Sequence, residues 1–276
     1  MQFLTRLAYR PEVNTITRAL RIRSIAKWLY YYGAAPGGVA EFEVKDIRAR
    51  FYVRTPAELR IVEGTTLGES IAWGEREVLE LLVDLMRSGG IFYDVGANFG
   101  IYSILLAKAM GARGQVIAFE PDRQNYERLE KNVKLNGVTN VRCFRKALGE
   151  ASAKATLYHK DRSPMQSSLL VRPGAESSGS EQVDVEEGDR LVAAENLPIP
   201  TAIKIDVEGY EYCVIQGLRN TLTQPCCKFV SVEIHPDRLP PPTTTDQILD
   251  LMKSLGFNRI DIHPRRGEQI ALCYKA

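Results

Sequence analysis

Asp94-Val95-Gly96-Ala97-Asn98-Phe99-Gly100 reads as a strand end, a glycine-rich turn and the approach to a helix. The residues before Gly96, Ile91-Phe92-Tyr93-Asp94-Val95, are apolar except for Asp94, and Ile101–Met110 continues as a helical run. Glycines at a strand-to-helix turn let backbone approach a ligand closely and leave helix N–H groups facing it. Many nucleotide-binding folds use that device. The details of the turn must therefore choose among ligands.

Two details do so. The spacing is Gly-x-x-x-Gly, not the G-x-G-x-x-G that cradles a pyrophosphate. Asp94 lies inside the turn region, where a carboxylate is badly placed against a diphosphate but suits a cationic amino group. Further on, Glu120 ends the apolar run Val116-Ile117-Ala118-Phe119. An acid at a second strand end can accept both hydroxyls of a ribose. Asp94 and Glu120 together describe an adenosine carrying an amino acid better than NAD. The competing structural reading has Asp94 cap the turn and Glu120 cap a helix starting near Asp122.

Around the turn the pattern repeats. Short apolar runs at Ile91–Val95, Val116–Phe119, Val141–Phe144, Ala202–Ile205 and Phe229–Ile234 predict buried parallel strands. Helical segments at Ile101–Met110, Arg123–Leu135 and Tyr210–Leu218 alternate with them, giving an α/β fold with a doubly wound sheet. Glu75–Met86 predicts a helix ahead of this core. The end reads helix, strand, strand over Ile248–Leu255, Arg259–Ile262 and Gln269–Tyr274. Residues 75–276 are taken as the main domain. Within it, residues 151–200 are rich in Ser, Gly, Pro and charge, a surface excursion or substrate-facing insertion with strand-like pieces at Ala155–Tyr158 and Gln182–Val185. Residues 1–74 form a separate appendage, a lid over the acceptor or an oligomer contact. Its parts are an amphipathic helix over 13–31 (Ile16, Leu20, Ile22, Ile25, Ala26, Leu29) and short strands in 41–62.

Bulk properties narrow the function. The chain has 276 residues, 45% hydrophobic and 25% charged, with a formal net charge of +2. A protein that neutralises phosphates would be more basic, so no nucleic-acid partner is expected. The five cysteines form no CxxC pair and no zinc spacing, which predicts reduced thiols in a cytoplasmic protein. No apolar run is long enough to span a membrane. The first thirty residues hold Arg6, Arg10, Arg18, Arg21, Arg23 and Lys27 against Glu12 alone. Such a helix suits core packing or a homodimer contact, with peripheral contact to an anionic membrane as the alternative. His159 and His263 stand alone and read as surface or loop residues. Tyr30-Tyr31-Tyr32 predicts packing, with an acceptor pocket as the alternative.

Several motifs now recur in order. Phe92–Gly100 resembles motif I of class I methyltransferases, and Phe119-Glu120-Pro121-Asp122 resembles their acidic post-I motif. Ile203-Lys204-Ile205-Asp206-Val207-Glu208-Gly209-Tyr210-Glu211 is similar to the signature of the FkbM family, and Val232-Glu233-Ile234-His235-Pro236 fits its next strand. The resemblance covers roughly residues 75–262. It implies a Rossmann-like, mostly parallel seven-stranded sheet with helices on both faces. It also implies S-adenosylmethionine as cofactor and O-methylation of a saccharide or secondary-metabolite hydroxyl. By the same match, Gly96, Ala97, Asn98 and Gly100 line the methionine and ribose, and Glu120 holds the ribose hydroxyls. Asp94 serves the amino group directly or through water, Ala147 meets adenine through its backbone, and Asp206 borders the cofactor.

Methyl transfer from a sulfonium is an in-line displacement, so the protein has to position the acceptor and remove its proton. The groups for this should lie at the carboxyl ends of the central strands. Asp206 follows Ala202–Ile205, while Glu233 and His235 end Phe229–Ile234 on one side of that strand. His235 or Asp206 is then the general base, His235 attracting notice because imidazole titrates near neutrality. Alternatively Asp206, Glu233 and His235 hold Mg or Mn. In a third, structural reading Lys204 pairs with Asp94 or Glu233, and Glu208 or Glu211 favours a helix N-terminus. Gln166-Ser167-Ser168 is placed at the border of the cofactor or acceptor. An NAD-dependent oxidoreductase and a non-catalytic S-adenosylmethionine-binding protein are the competing functions.

Overall fold

The computed structural model describes residues 23–62, 75–160, 167–169, 177–265 and 267–275. The chain divides into two compact units, Met1–Ile71 and Ala72–Ala276.

In the first unit α1 (Arg23–Ala34) precedes a hairpin of β1 (Val39–Val44) and β2 (Ile47–Tyr52), and α2 (Pro56–Val62) follows. Phe42, Val44, Ala49 and Phe51 are buried on one face of the hairpin, as the alternation requires. The expected strands of 41–62 stop at Tyr52. Pro56 opens a helix instead, and the Glu58 N–H donates to the Thr55 hydroxyl at 3.2 Å. Short-range capping outweighs an apolar alternation too brief to pair. The helix predicted over 13–31 is described from Arg23 and continues past 31 to Ala34; its positions 13–22 lie outside the described residues. Tyr31 is buried and its hydroxyl donates to the Val53 carbonyl at 2.7 Å, whereas Tyr32 is exposed.

The second unit opens with α3 (Glu75–Met86), then β3 (Gly90–Val95), α4 (Ile101–Met110), β4 (Gly114–Phe119), α5 (Arg123–Asn136) and β5 (Val141–Phe144). Next come β6 (Ala147–Gly149), β7 (Ala153–Lys160), β8 (Ser167–Ser168), β9 (Ser177–Glu187) and α6 (Gly188–Ala194). The chain then re-enters the core with β10 (Ala202–Ile205), α7 (Glu211–Gly217), α8 (Arg219–Thr223) and β11 (Phe229–Ile234). It closes with α9 (Thr245–Ser254), β12 (Arg259–Arg265) and β13 (Glu268–Tyr274). No helix among the described residues is long and apolar enough to cross a membrane.

The main sheet has seven strands in the order β12-β13-β11-β10-β3-β4-β5. β13 alone runs opposite to the other strands of this sheet. The order reverses between β3 and β10, and such a switch point opens a crevice at the carboxyl ends of the strands. Right-handed crossovers put α4 and α5 on one face and α7 and α8 on the other. Tyr93, Val95, Ile117, Phe119, Ile203, Ile205, Val230 and Val232 pack on Val214, Ile215, Ile248 and Met252 in one fully buried cluster. Period two turns the intervening residues to the opposite face. There Asp94, Lys204 and Ser231 are register partners across β3, β10 and β11, a buried polar row.

The described residues of the 151–200 stretch form more regular structure than its composition predicts. β7 and β9 pair antiparallel over almost their whole length and join β6 and β8 in a second, four-stranded sheet. Leu157, Val183 and Val185 bury the inner face of this sheet. His159 and His263, expected at the surface or on loops, lie partly exposed on β7 and β12. His159 Nδ1 sits 3.0 Å from Asp122 Oδ2.

Candidate active site

The turn after β3 is shaped by three residues of positive φ: Gly96 (+83°), Asn98 (+52°) and Gly100 (+93°). At Gly96 a Cβ would lie 1.9 Å from the Asp206 carbonyl oxygen, so only glycine lets β3 and β10 close at the switch point. The Gly96 and Ala97 N–H groups both donate to the Phe119 carbonyl at 3.0 Å, tying the turn to β4. A Cβ on Gly100 would meet Leu129 at 2.4 Å, and Ala97 packs with Ala118 and Leu129. These two residues shape the turn from behind.

A cleft of about 650 Å³ opens in front of it. Gly96, Asn98, Glu120, Ala147 and Asp206 line the cleft, with Leu157 of β7 and Leu169 on the side of the second sheet. Glu120 is buried, and its carboxylate accepts the Asn98 N–H at 2.7 Å and the Asp122 N–H at 2.9 Å. The reading of Glu120 as a helix cap is corrected: Asp122 caps α5 itself, its Oδ1 accepting the Asn125 N–H at 2.9 Å, while Glu120 braces the two loops and faces the cleft. Burial pushes its carboxyl up to about 8, against the pull of those two hydrogen bonds. Asp94 is buried beneath. It accepts the Ser103 hydroxyl at 2.6 Å through Oδ2, while Oδ1 has no hydrogen-bond partner among the described residues. Burial raises its carboxyl too, although Lys204 and the Ser103 bond oppose the rise.

The other half of the cleft is built by the ends of β10 and β11. Lys204 Nζ donates to Asp206 Oδ2 at 2.9 Å and lies 4.7 Å over the Tyr102 ring. Burial alone would raise Asp206, but the charges of Lys204 and His235 outweigh it and hold the carboxyl below its usual range. His235 stands behind Asp206, 2% exposed, with Nδ1 2.7 Å from Glu211 Oε1 and Nε2 3.9 Å from Asp206 Oδ1. Burial lowers its affinity for a proton, but the Glu211 bond and the charge of Asp206 raise it further, so the net shift is upward. Glu233, also buried, accepts from Arg265 Nη1 at 2.9 Å. Ser168 Oγ donates to the Glu208 carbonyl at 3.0 Å, so β8 reaches the rim; Gln166 lies outside the described residues.

Comparison with known proteins adds the family. The model of the methyltransferase FkbM domain matches residues 94–259, from Asp94 of the turn to the start of β12. The chain belongs to the FkbM methyltransferase family. It is an S-adenosylmethionine-dependent methyltransferase. Hexuronic acid methyltransferase AglP of Haloferax volcanii is 27% identical over 220 residues, covering 80% of this chain and 84% of that protein. Methyltransferase 1 of Beauveria bassiana is 27% identical over 142 residues, 45% of this chain and 57% of that protein. Among solved structures, an FkbM methyltransferase from Methylobacillus flagellatus KT superposes with a TM-score of 0.46 at 19% identity, covering 68% of this chain and 44% of that one.

The donor set suits the family's cofactor. Glu120, Asp206 and Glu208 bring acidic side chains to the cleft, and Asp94 keeps an open acceptor below it. The cation on the lining, Lys146, is held by Asp184 and Glu186 at 3.0 and 3.1 Å. A diphosphate would be repelled here, whereas a ribose diol and an ammonium find acceptors. A divalent metal fits less well. Asp206, Glu233 and His235 do offer ligand atoms within 4.8 Å of one another. Yet Lys204 and Arg265 already neutralise the two carboxylates, and an ion would sit against both cations.

Four contributors to the site escape sequence reasoning. Glu211 lies inside the signature stretch, but only the fold brings it to His235. Arg265 and Glu268 arrive from the β12–β13 hairpin, and Arg238 joins Glu268 to Glu208. No spacing rule links these positions.

Proposed function

We propose that this FkbM methyltransferase methylates a hydroxyl of a saccharide and that Asp206 takes the hydroxyl proton. The observation that carries this reading is the position of Asp206. It ends β10 at the switch point and lines the cleft, whereas His235 and Glu233 lie buried behind it. S-adenosylmethionine, when bound, supplies a methyl group already activated on a positively charged sulfur. The residues of the chain therefore have to bind, exclude water and manage one proton. Asp206 accepts the acceptor's O–H hydrogen bond and thereby orients an oxygen lone pair. Transfer of that methyl group would form the C–O bond as the C–S bond breaks, leaving S-adenosylhomocysteine as a neutral thioether. The acceptor oxygen would gain positive charge and its proton would become strongly acidic. A carboxylate of low pKa then takes the proton downhill, and no near-neutral base is required. In this reading Asp206 fills the role first shared with His235, and His235 becomes a positioning residue.

The relative named for hexuronic acid supports a sugar acceptor. Charge balance supports a hydroxyl over a carboxylate within it, because Lys204, Arg238 and Arg265 each already hold a carboxylate of the protein. The test is turnover on a panel of neutral and uronic glycosides, followed by mild alkali. An alkali-stable methyl ether is expected; an alkali-labile methyl ester overturns the hydroxyl assignment. Asp206→Asn should lower kcat by about 10²–10⁴-fold and leave S-adenosylhomocysteine affinity within about threefold. Full turnover by that variant removes Asp206 from the chemistry. Cofactor binding without turnover on any acceptor would favour a non-catalytic role.

A further inference from the structure

We propose that Glu211 is the positioning residue of this site: it holds His235 as a fixed cation that braces Asp206 against the cleft. The proposal rests on the reading of Asp206 given above. Glu211 is fully buried at the start of α7. Its Oε1 accepts the Gly209 N–H at 2.9 Å and faces His235 Nδ1 at 2.7 Å. An oxygen already accepting from a backbone N–H is best matched by a second donor, so Nδ1 carries a hydrogen. Nε2 then points at two further carboxylates, Asp206 Oδ1 at 3.9 Å and Glu268 Oε1 at 3.7 Å.

The surrounding charges complete the argument. Four carboxylates face His235: Asp206 after β10, Glu211 on α7, Glu233 on its own strand and Glu268 on β13. Asp206 is paired with Lys204, Glu233 with Arg265 and Glu268 with Arg238. Glu211 has no Lys or Arg partner among the described residues, and its second oxygen is unpartnered there. A bare carboxylate at that depth is strongly unfavourable. An imidazolium at His235 neutralises it and places a second positive charge behind Asp206. Glu211 thus governs the cleft-facing carboxylate through an intervening ring, without reaching the cleft itself.

The chain has three histidines, so their imidazole nitrogens can be observed one by one. Long-range ¹H–¹⁵N spectra of the full-length protein would report the protonation of His235, with His159→Gln and His263→Gln variants assigning the signals. His235 is expected to hold its second proton to higher pH than a free imidazole does. In Glu211→Gln its midpoint should fall by at least about one pH unit. In the same variant kcat should fall about tenfold or more and decline further on the alkaline side, with KM for S-adenosylmethionine nearly unchanged. Glu211→Asp should recover part of both. A neutral His235 ring of either tautomer in the wild type overturns the proposal, and needs no variant to fold. So does an unchanged His235 midpoint in folded Glu211→Gln. The spectra need no acceptor, so failure of the saccharide assignment would appear separately, as absent turnover with an intact His235 signature.

Discussion

At the ends of β3 and β4, Asp94 and Glu120 are buried carboxyls raised by burial; at the end of β10, Asp206 is held low. The residue types match and all three lie at the same mouth of one sheet. Neighbouring charge separates them. Lys204 bonds to Asp206 and His235 stands beyond it, whereas Glu120 is met by two backbone N–H groups, which are dipoles rather than charges. Burial and counter-charge together decide the outcome here: Lys204 opposes the rise at Asp94 without cancelling it, whereas Lys204 and His235 together outweigh burial at the more exposed Asp206. The half with raised carboxyls suits a cationic, hydroxyl-rich ligand that stabilises the ionised form on arrival. The half with the low carboxyl is ready to accept a proton only from an oxygen that has become very acidic.

The contrast can be broken first at the seam between the halves. Gly96→Ala would drive a Cβ into the Asp206 carbonyl at a backbone angle that L-residues rarely adopt. A loss of about 4 kcal/mol or more is expected in denaturant unfolding; a stable variant would mean that the two strand ends part easily.

The next effect comes from the shared cation. Lys204→Met should cost about 3 kcal/mol near pH 8 by leaving Asp94 and Asp206 without their counter-charge. The sign with pH follows from Asp206, whose folded-state carboxyl is depressed. The stability it contributes is present above the unfolded carboxyl range and lost as pH falls, so the wild type and Lys204→Met should converge in acid. Parallel unfolding curves across pH would contradict the pairing.

The smallest effect sharpens the cofactor half alone. With its carboxyl near 8, free Glu120 carries a proton at lower pH that a ribose diol must displace. Affinity for S-adenosylhomocysteine should weaken by up to about tenfold per pH unit below that value and level off above it. Calorimetry in buffers of different ionisation enthalpy should show proton release on binding. Glu120→Gln should bind more weakly by roughly 1–3 kcal/mol and lose the pH dependence. A pH-independent wild type would take Glu120 out of the ribose site.

Much of the fold is legible in the residues. The apolar runs mark β3, β4, β5, β10 and β11 to within two residues, and Ile101–Met110 is a helix at its predicted bounds, because the central runs are buried on both faces. β5, expected to be buried, is instead the half-exposed edge strand. Pro56–Val62 was less legible, since a proline and the Thr55 cap decide it locally. The β6–β9 sheet was hidden by its polar composition, because only one face of that hairpin needs apolar residues and few of them suffice. The site shows the same division. Gly96, Asn98, Glu120, Ala147 and Asp206 meet at one cleft as their motif positions suggest. Asp94, Ala97 and Gly100 lie under or behind it, and His235 lies one layer deeper, behind Asp206.

The sequence by itself determined the methyl-donor class. A Gly-x-x-x-Gly turn with an acid before it, and a second acid one strand later, are local features whose chemistry survives in any arrangement of the rest. Only the tertiary structure decided which carboxylate faces the cleft and which counter-charges surround it. That outcome depends on Lys204, Glu211, Arg265 and Glu268, which come from four separate elements. The interactions among them act over a few ångströms of space, and no spacing along the chain records those distances.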